Sequence, residues 1–253
     1  VGRRLGGVAA RAHVQLTRRR AAAIAAAALL LAAGALVWSG RLRFNYPGRW
    51  RYPVRGVDVS HHQGTVDWER LRDDGAEFAY LKASEGAAWR DTAFVRNRAA
   101  ALRAGVPTGA YHYFTFCAPG AEQARNFLTA APPLPGPALP PAVDLEFRGN
   151  CAARPPPDSL AAQLRAFLTP VEAAYGRRAL LYVTHEFYRA YLAGWPATNP
   201  LWVRSMLGPP RYGGSWTLWQ FADRGRMRGV DGPVDLNVFN GSRDDFRAWA
   251  GVR

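Results

Sequence analysis

The stretch Pro140 to Phe147, PPAVDLEF, interrupts an apolar run with two carboxylates two residues apart. Val143, Leu145 and Phe147 alternate with them, a pattern that predicts a short, half-buried strand. Side chains alternate across a strand, so Asp144 and Glu146 project from one face with Cα atoms about 6.6 Å apart. Two carboxyl groups so placed have the parts for cleaving a glycosidic bond. One protonates the leaving oxygen while the other, on the opposite side of the sugar carbon, stabilises developing positive charge. The plain alternative is a solvated pair at a strand end, and the apolar residues alternating with them argue against it.

Other polar residues occupy similar positions. Asp58 sits inside the apolar stretch that opens GVDVSHHQG and is expected to face the interior. Lys82 and Glu85 end the next apolar stretch in LKASEG, where the lysine is expected to neutralise part of the acidic charge and Glu85 to pair with it or touch substrate. Tyr111 and His112 lie in AYHYF, which mixes aromatic faces with hydrogen-bonding edges, the combination that binds sugars. Trp202, Trp219, Gln220, Asp235 and Asn237 come from the last three stretches. So many acids in one region repel one another, which is easier to understand if the charge has a use. His61 and His62 lack an i, i+4 partner or a further ligand cluster, so no metal site is expected. No G-x-S-x-G elbow, phosphate loop or dinucleotide fingerprint is present, and no cofactor is expected.

Eight apolar segments are candidates for the strands that position these residues: 56–60, 78–84, 108–116, 142–147, 179–184, 201–206, 216–221 and 234–239. Helical patterns separate the earlier ones, over 66–74, 91–104, 121–130, 159–175 and 186–192. Gly105 and Gly176 stand as C-terminal stops, and Asp158/Ser159 as an N-terminal cap. Strand–helix alternation predicts parallel strands with right-handed crossovers. Eight strands predict closure into an α/β, irregular (β/α)8-type barrel, with an open doubly wound sheet as the alternative. Residues 208–215 and 222–233 are read as loops, so helices are reduced on the last strands. The proline-rich stretches 132–141 and 155–157 are expected to be stiff loops flanking the carboxylate strand.

The chain has 253 residues, is 49% hydrophobic and 21% charged, and carries a formal net charge of +14. That charge is unevenly placed. Residues 1–55 hold eleven arginines and no acid, leaving 22 basic against 19 acidic residues beyond them. A nucleic-acid-binding domain would carry its basic excess on the folded part, so no nucleic-acid partner is expected. Residues 21–38 form an uncharged run, AAAIAAAALLLAAGALVW, long enough at about 27 Å to cross a bilayer as a helix. Arg18, Arg19 and Arg20 precede it directly, with Arg3, Arg4 and Arg11 further back. The positive-inside rule then gives a cytoplasmic arm over 1–20, a membrane helix over 21–38 and a catalytic domain on the far side of the membrane. Trp38, Phe44 and Tyr46 would sit at the far interface, residues 39–55 would be a linker, and 56–253 the barrel. A cleaved signal peptide is the competing reading.

Taken together, GVDVSHHQG, FAYLKASEG, DTAF, GAYHYF, PAVDLEF, LYV, WQF and VDLNVF resemble the glycoside hydrolase family 25 lysozymes, the Chalaropsis-type N-acetylmuramidases, from about Gly56 to Phe246. The resemblance implies a barrel with reduced helices on its later strands. It also implies hydrolysis of the β-1,4 bond between N-acetylmuramic acid and N-acetylglucosamine, with peptidoglycan strands as partner. Carried over by motif, Glu146 is the general acid/base. Asp144 acts from the other side, as nucleophile or by orienting the substrate acetamido group. Asp58 and Asp235 match the remaining cleft acids. Arg204, in LWVRSM, stands where a small residue is common in the family, so the cleft there is expected to be narrower or more basic. A non-catalytic glycan-binding or scaffolding membrane protein is the alternative function. Like charges around Glu146 are expected to raise its pKa.

Cys117 follows the third predicted strand and Cys151 the fourth. Adjacent parallel strands lie about 4.8 Å apart, so loops leaving their ends bring the two cysteines within disulfide reach. Such a bridge fits an extracytoplasmic compartment.

Overall fold

A computed structural model describes residues 5–134, 138–194 and 198–251. It divides into two compact units, one ending at Arg43 and one running from Phe44 onward. Arg3 and Arg4 of the basic arm, and residues 135–137 of the proline-rich loop, lie outside the described residues.

The first unit is built on one helix, α1 (Leu5–Trp38). Its Arg18–Trp38 portion is 21 residues long, with a mean hydropathy of 2.3 and no burial within the chain. The apolar run is therefore the second part of a longer helix that starts in the basic arm. Alanine, leucine and arginine are all strong helix formers, so nothing in the sequence stops the helix at the charge boundary.

In the second unit, strands β1 (Arg55–Val59), β2 (Phe78–Glu85), β4 (Thr108–Tyr113), β5 (Ala142–Leu145), β6 (Leu180–Val183), β7 (Leu201–Arg204), β8 (Leu218–Gly225) and β9 (Val234–Phe239) make an eight-stranded barrel. The two-residue β3 (Trp89–Arg90) pairs antiparallel with the end of β2 as a side hairpin. Pairing of β1 with both β2 and β9 closes the ring. All neighbours are parallel except β9, which runs antiparallel to β8 and β1. An all-parallel barrel is thus corrected. A parallel connection needs a crossover of a dozen or more residues, and the segment between Gly225 and Val234 is too short for one. β8 also continues through Ala222–Gly225, the start of the stretch expected as a loop.

The helices are α2 (Trp68–Asp73), α3 (Phe94–Arg103), α4 (Gly120–Ala130), α5 (Pro157–Tyr175), α6 (His185–Phe187, continuing as a π turn over Tyr188–Leu192) and α7 (Arg243–Ala250). The expected Asp158/Ser159 cap is not used: α5 begins at Pro157, with no side-chain cap. Proline at the first helical position supplies the helical φ and has no N–H to satisfy. Helix α7 was not read from the sequence, although Ser242 and Asp245 form a reciprocal capping box at its start.

Alternation along the strands makes two cores. Val143, Leu145, Leu81 and Val183 face outward and pack with Phe127, Phe167 and Leu164 of the helices. Phe78, Tyr80, Leu180, Trp202 and Leu218 fill the barrel itself. Tyr80 fits because Gly109 faces it across β2 and β4: a Cβ there would stand 2.3 Å from its ring. Tyr80 then donates a hydrogen bond to the Pro140 carbonyl at 3.0 Å, at the entrance to β5. Residues 44–55, expected as linker, belong to this compact unit. Val54 is fully buried and Tyr52 packs edge-on against Trp219, with centroids 5.6 Å apart.

The bridge between Cys117 and Cys151 is present, with 34 residues of sequence separation. It ties the segment after β4 to the segment after β5. Replacing both cysteines by serine should lower stability by about 3 kcal/mol, because the unfolded chain regains the entropy of a long loop. Chemical denaturation of the two forms measures this, and equal midpoints would refute it.

Candidate active site

The site is assembled at the mouth of the barrel. Asp58 of β1 and Asp235 of β9 are direct cross-strand partners. Asp58 Oδ2 accepts hydrogen bonds from Asn237 Nδ2 at 2.7 Å and Gln220 Nε2 at 3.0 Å. Gln220 is oriented by Tyr182, whose hydroxyl donates to its Oε1 at 2.9 Å. Asn237 is oriented by Trp202, whose indole N–H donates to its Oδ1 at 2.8 Å. Burial pushes both carboxyls up, Asp235 well above the usual range. The amide donors pull Asp58 back down, while the neighbouring Asp58 charge pushes Asp235 further up. Asp235 is therefore the acid that holds a proton, and Asp58 the one better able to carry charge.

Asp144 lies between Tyr113 of β4 and Tyr182 of β6 in register. Its Oδ1 is buried without a protein hydrogen-bond partner. Burial, then the Glu146 charge, raise its pKa well above the usual range, and the Lys82 ammonium opposes them. Glu146 follows β5 by one residue and remains on the same face as Asp144, where both line the cleft. Burial is the main cause raising Glu146 to about 7, with Glu186 and Asp58 adding to it and Arg204 and Arg148 opposing. The raised pKa expected from like charges is present, and those charges contribute to it, but loss of water contributes more. The backbone here is held by Asn150, which donates to the Glu146 and Phe114 carbonyls at 3.1 and 2.8 Å. Tyr113 adds a hydrogen bond of 2.6 Å to the Arg148 carbonyl.

These groups surround a cleft of about 230 Å³. Of the residues singled out from sequence, Asp58, Lys82, Tyr111, Asp144, Glu146, Trp202, Gln220 and Asp235 line it. Glu85 and His112 do not. Glu85 takes the Lys82 ammonium at 2.6 Å, which leaves that ammonium also lying over the Tyr113 and Trp89 rings. His112 sits between Tyr111 and Tyr113, so it points out of the barrel toward the helices. There its ring bonds Ser84 Oγ at 2.8 Å and Gln123 Oε1 at 3.1 Å and stacks on Phe167. Burial lowers its pKa to about 3, so it is a neutral structural group. Trp219 likewise faces outward and donates to the Ser205 carbonyl. His61 bonds Asp91 at 3.0 Å, while His62 lines the cleft.

Tyr113, part of the AYHYF stretch, also lines the cleft, while Tyr182, Ser60 and Gln63 were not expected there. Tyr182 was readable: it alternates with Leu181 and Val183, as Asp144 alternates with Val143 and Leu145. A larger groove of about 500 Å³ opens near Thr108, the first residue of β4, and none of its described lining residues is acidic.

The family model for glycosyl hydrolases family 25 matches residues 57–230, which contain all of these groups except Asp235 and Asn237. The chain belongs to this family. Lysozyme M1 of Streptomyces globisporus is 32% identical over 211 residues, covering 78% of this chain and 71% of that protein. YegX of Escherichia coli strain K12 is 36% identical over 205 residues, covering 78% of this chain and 74% of that protein. The solved structure of a family 25 glycosyl hydrolase from Bacillus anthracis superposes with a TM-score of 0.74 at 35% identity, covering 79% of this chain and 94% of that one. As a family 25 member the chain is a glycoside hydrolase.

The raised Glu146 has a consequence for stability. Its folded-state pKa of about 7 exceeds the ordinary 4.5, so its contribution to stability is full below the ordinary value and is lost as pH rises through about 7. Glu146→Gln removes this ionisation and should stabilise the protein by about 2 kcal/mol at pH 8 and hardly at all at pH 4. Thermal unfolding across that range measures the difference, and a pH-independent gap would refute it.

Proposed function

We propose that this family 25 enzyme is a lysozyme that hydrolyses the β-1,4 bond between N-acetylmuramic acid and N-acetylglucosamine in peptidoglycan, with Glu146 as general acid/base. The observation that carries the assignment is Glu146 itself: a largely buried carboxyl with a pKa of about 7, beside Asp144 in an open cleft. Near neutral pH Glu146 can still hold a proton, ready for the glycosidic oxygen, and the anion left behind can then activate water. The breaking bond leaves positive charge on the anomeric carbon. Asp144, on the same strand face, meets that charge from the opposite side. Its partnerless Oδ1 is free to attack the carbon or to accept a hydrogen bond from the substrate acetamido N–H.

Lys82 helps Asp144 to ionise once substrate displaces water. Asp58, Asp235 and Gln220 present polar edges to sugar hydroxyls, and Tyr111 and Tyr113 present rings. Trp202 is almost fully buried against Tyr80 and Tyr182, so its part is to hold Asn237 and the cleft floor.

Glu146→Gln should reduce the release of new reducing ends from purified peptidoglycan by about 10²- to 10⁴-fold, with muramic acid at those ends in the wild-type digest. Equal slow clearing of cell walls by both forms would instead favour a glycan-binding or scaffolding protein. Glucosamine at the new ends would make the enzyme a glucosaminidase.

The apolar part of α1, flanked by Arg18, Arg19 and Arg20 and by no acid, supports a single-pass anchor in the cytoplasmic membrane. In this reading the arm is cytoplasmic and the barrel acts on the wall side, where the disulfide is stable. After alkaline washing the full-length chain should stay with the membranes. Its release, or recovery only as a form cut after α1, would overturn the anchor.

A further inference from the structure

Next to the catalytic cleft lies a second groove, of about 520 Å³. Arg204, Ser205, Met206, Leu207 and Arg211, from the end of β7 and the segment after it, line it together with Glu186 and Tyr212. Its frame is held by hydrogen bonds. The Tyr212 hydroxyl donates to the Arg204 carbonyl at 2.6 Å and to the Val183 carbonyl at 3.2 Å. Ser205 Oγ donates to the Gly208 carbonyl at 2.7 Å, and Ser205 N–H to the Gln220 carbonyl at 3.0 Å. The walls therefore hold a set shape.

Two features mark what the groove would accept. First, it adjoins the chemistry: Arg204 lowers and Glu186 raises the pKa of Glu146. Arg204 also shares its strand face with Trp202, which lines the catalytic cleft. Second, it offers guanidinium groups where the cleft offers carboxyls. The cleft holds Asp58, Asp144, Glu146 and Asp235. The groove offers the guanidinium groups of Arg204 and Arg211, set among Met206, Leu207 and the Tyr212 ring. Arg204 uses one N–H for Asp223 at 2.6 Å and retains others, since a guanidinium has five donors. Arg211 is exposed, and Leu207 is 81% exposed at the rim.

We propose that this groove binds the acidic peptide attached to the muramic acid of the strand being cleaved. The inference rests on the peptidoglycan reading above. In that substrate the lactyl group of muramic acid carries a short peptide with free carboxylates. The catalytic cleft is lined by four carboxyl groups, whereas the neighbouring groove can hold a carboxylate through bidentate guanidinium contacts. Glu186 accepts hydrogen bonds from peptide N–H groups, and the Leu207 and Met206 side chains cover the aliphatic parts. The volume lies in the range of sites that take small ligands. Arg204 and Arg211 thus set specificity, selecting strands that keep their peptides over bare glycan.

The test uses the purified full-length enzyme and two substrates: peptide-bearing glycan strands, and the same strands after an amidase has removed the peptides. The readout is the ratio of kcat/KM on the two. The wild type should favour the peptide-bearing strands, and Arg211→Glu should lower the ratio about tenfold, mainly through KM. Leu207→Ser, also at an exposed position, should lower it less. A wild-type ratio near one, or a ratio that neither variant changes, overturns the inference while leaving the muramidase assignment standing. If the wild type releases no muramic acid ends from either substrate, both fall together.

Discussion

Removal of water from carboxyl groups is the constraint on which this active site depends. Burial is the largest cause raising Asp58, Asp144, Glu146 and Asp235 alike. A carboxylate in apolar surroundings is unstable unless donors reach it or it takes a proton. The protein applies both remedies, in different places. At Asp58 two amides, each oriented by an aromatic donor, satisfy the charge. At Asp144 a buried oxygen is left without a donor, and at Glu146 the proton is retained near neutrality. The same desolvation that weakens the fold thus supplies a protonated carboxyl of the kind the proposed mechanism uses.

The reversed last strand matters for the same reason. In a parallel barrel the functional side chains come from the carboxyl ends of the strands. Asp144 and Glu146 follow that rule. Asp235 is the second residue of β9, near its amino end, and reaches the same mouth only because β9 runs the other way. The antiparallel register sets it directly opposite Asp58, and it sets Asn237 opposite Gln220. The short connection before β9 therefore does more than close the barrel: it completes the pair of acids and their amide support.

Outside the barrel, the segment after β5 is held on several sides. Asn150 bonds the backbone of Phe114 and Glu146, Tyr113 bonds Arg148, and the Cys117–Cys151 bridge lies just beyond. Gln123 of α4 meets His112 and the Thr115 backbone, linking the outer helix layer to the same strand ends. Such support restricts the motion of Glu146, which as the proposed general acid must stay within hydrogen-bond reach of its leaving oxygen.

Period-two alternation made the eight barrel strands, the inward face of Asp58 and the shared face of Asp144 and Glu146 readable from the chain alone, because side-chain direction in a strand is a local property. The same rule, applied strictly, would have turned His112 outward and Tyr182 inward. A histidine between two tyrosines drew attention by its chemistry rather than its parity. The direction of β9, the extension of β8 to Gly225 and the attachment of residues 44–55 to the barrel were decided only by the tertiary structure, since each depends on which strand or ring a segment meets across space. So was the reason for the raised Glu146 pKa. Charge can be counted in a sequence, but loss of water is produced by neighbours that only folding brings together.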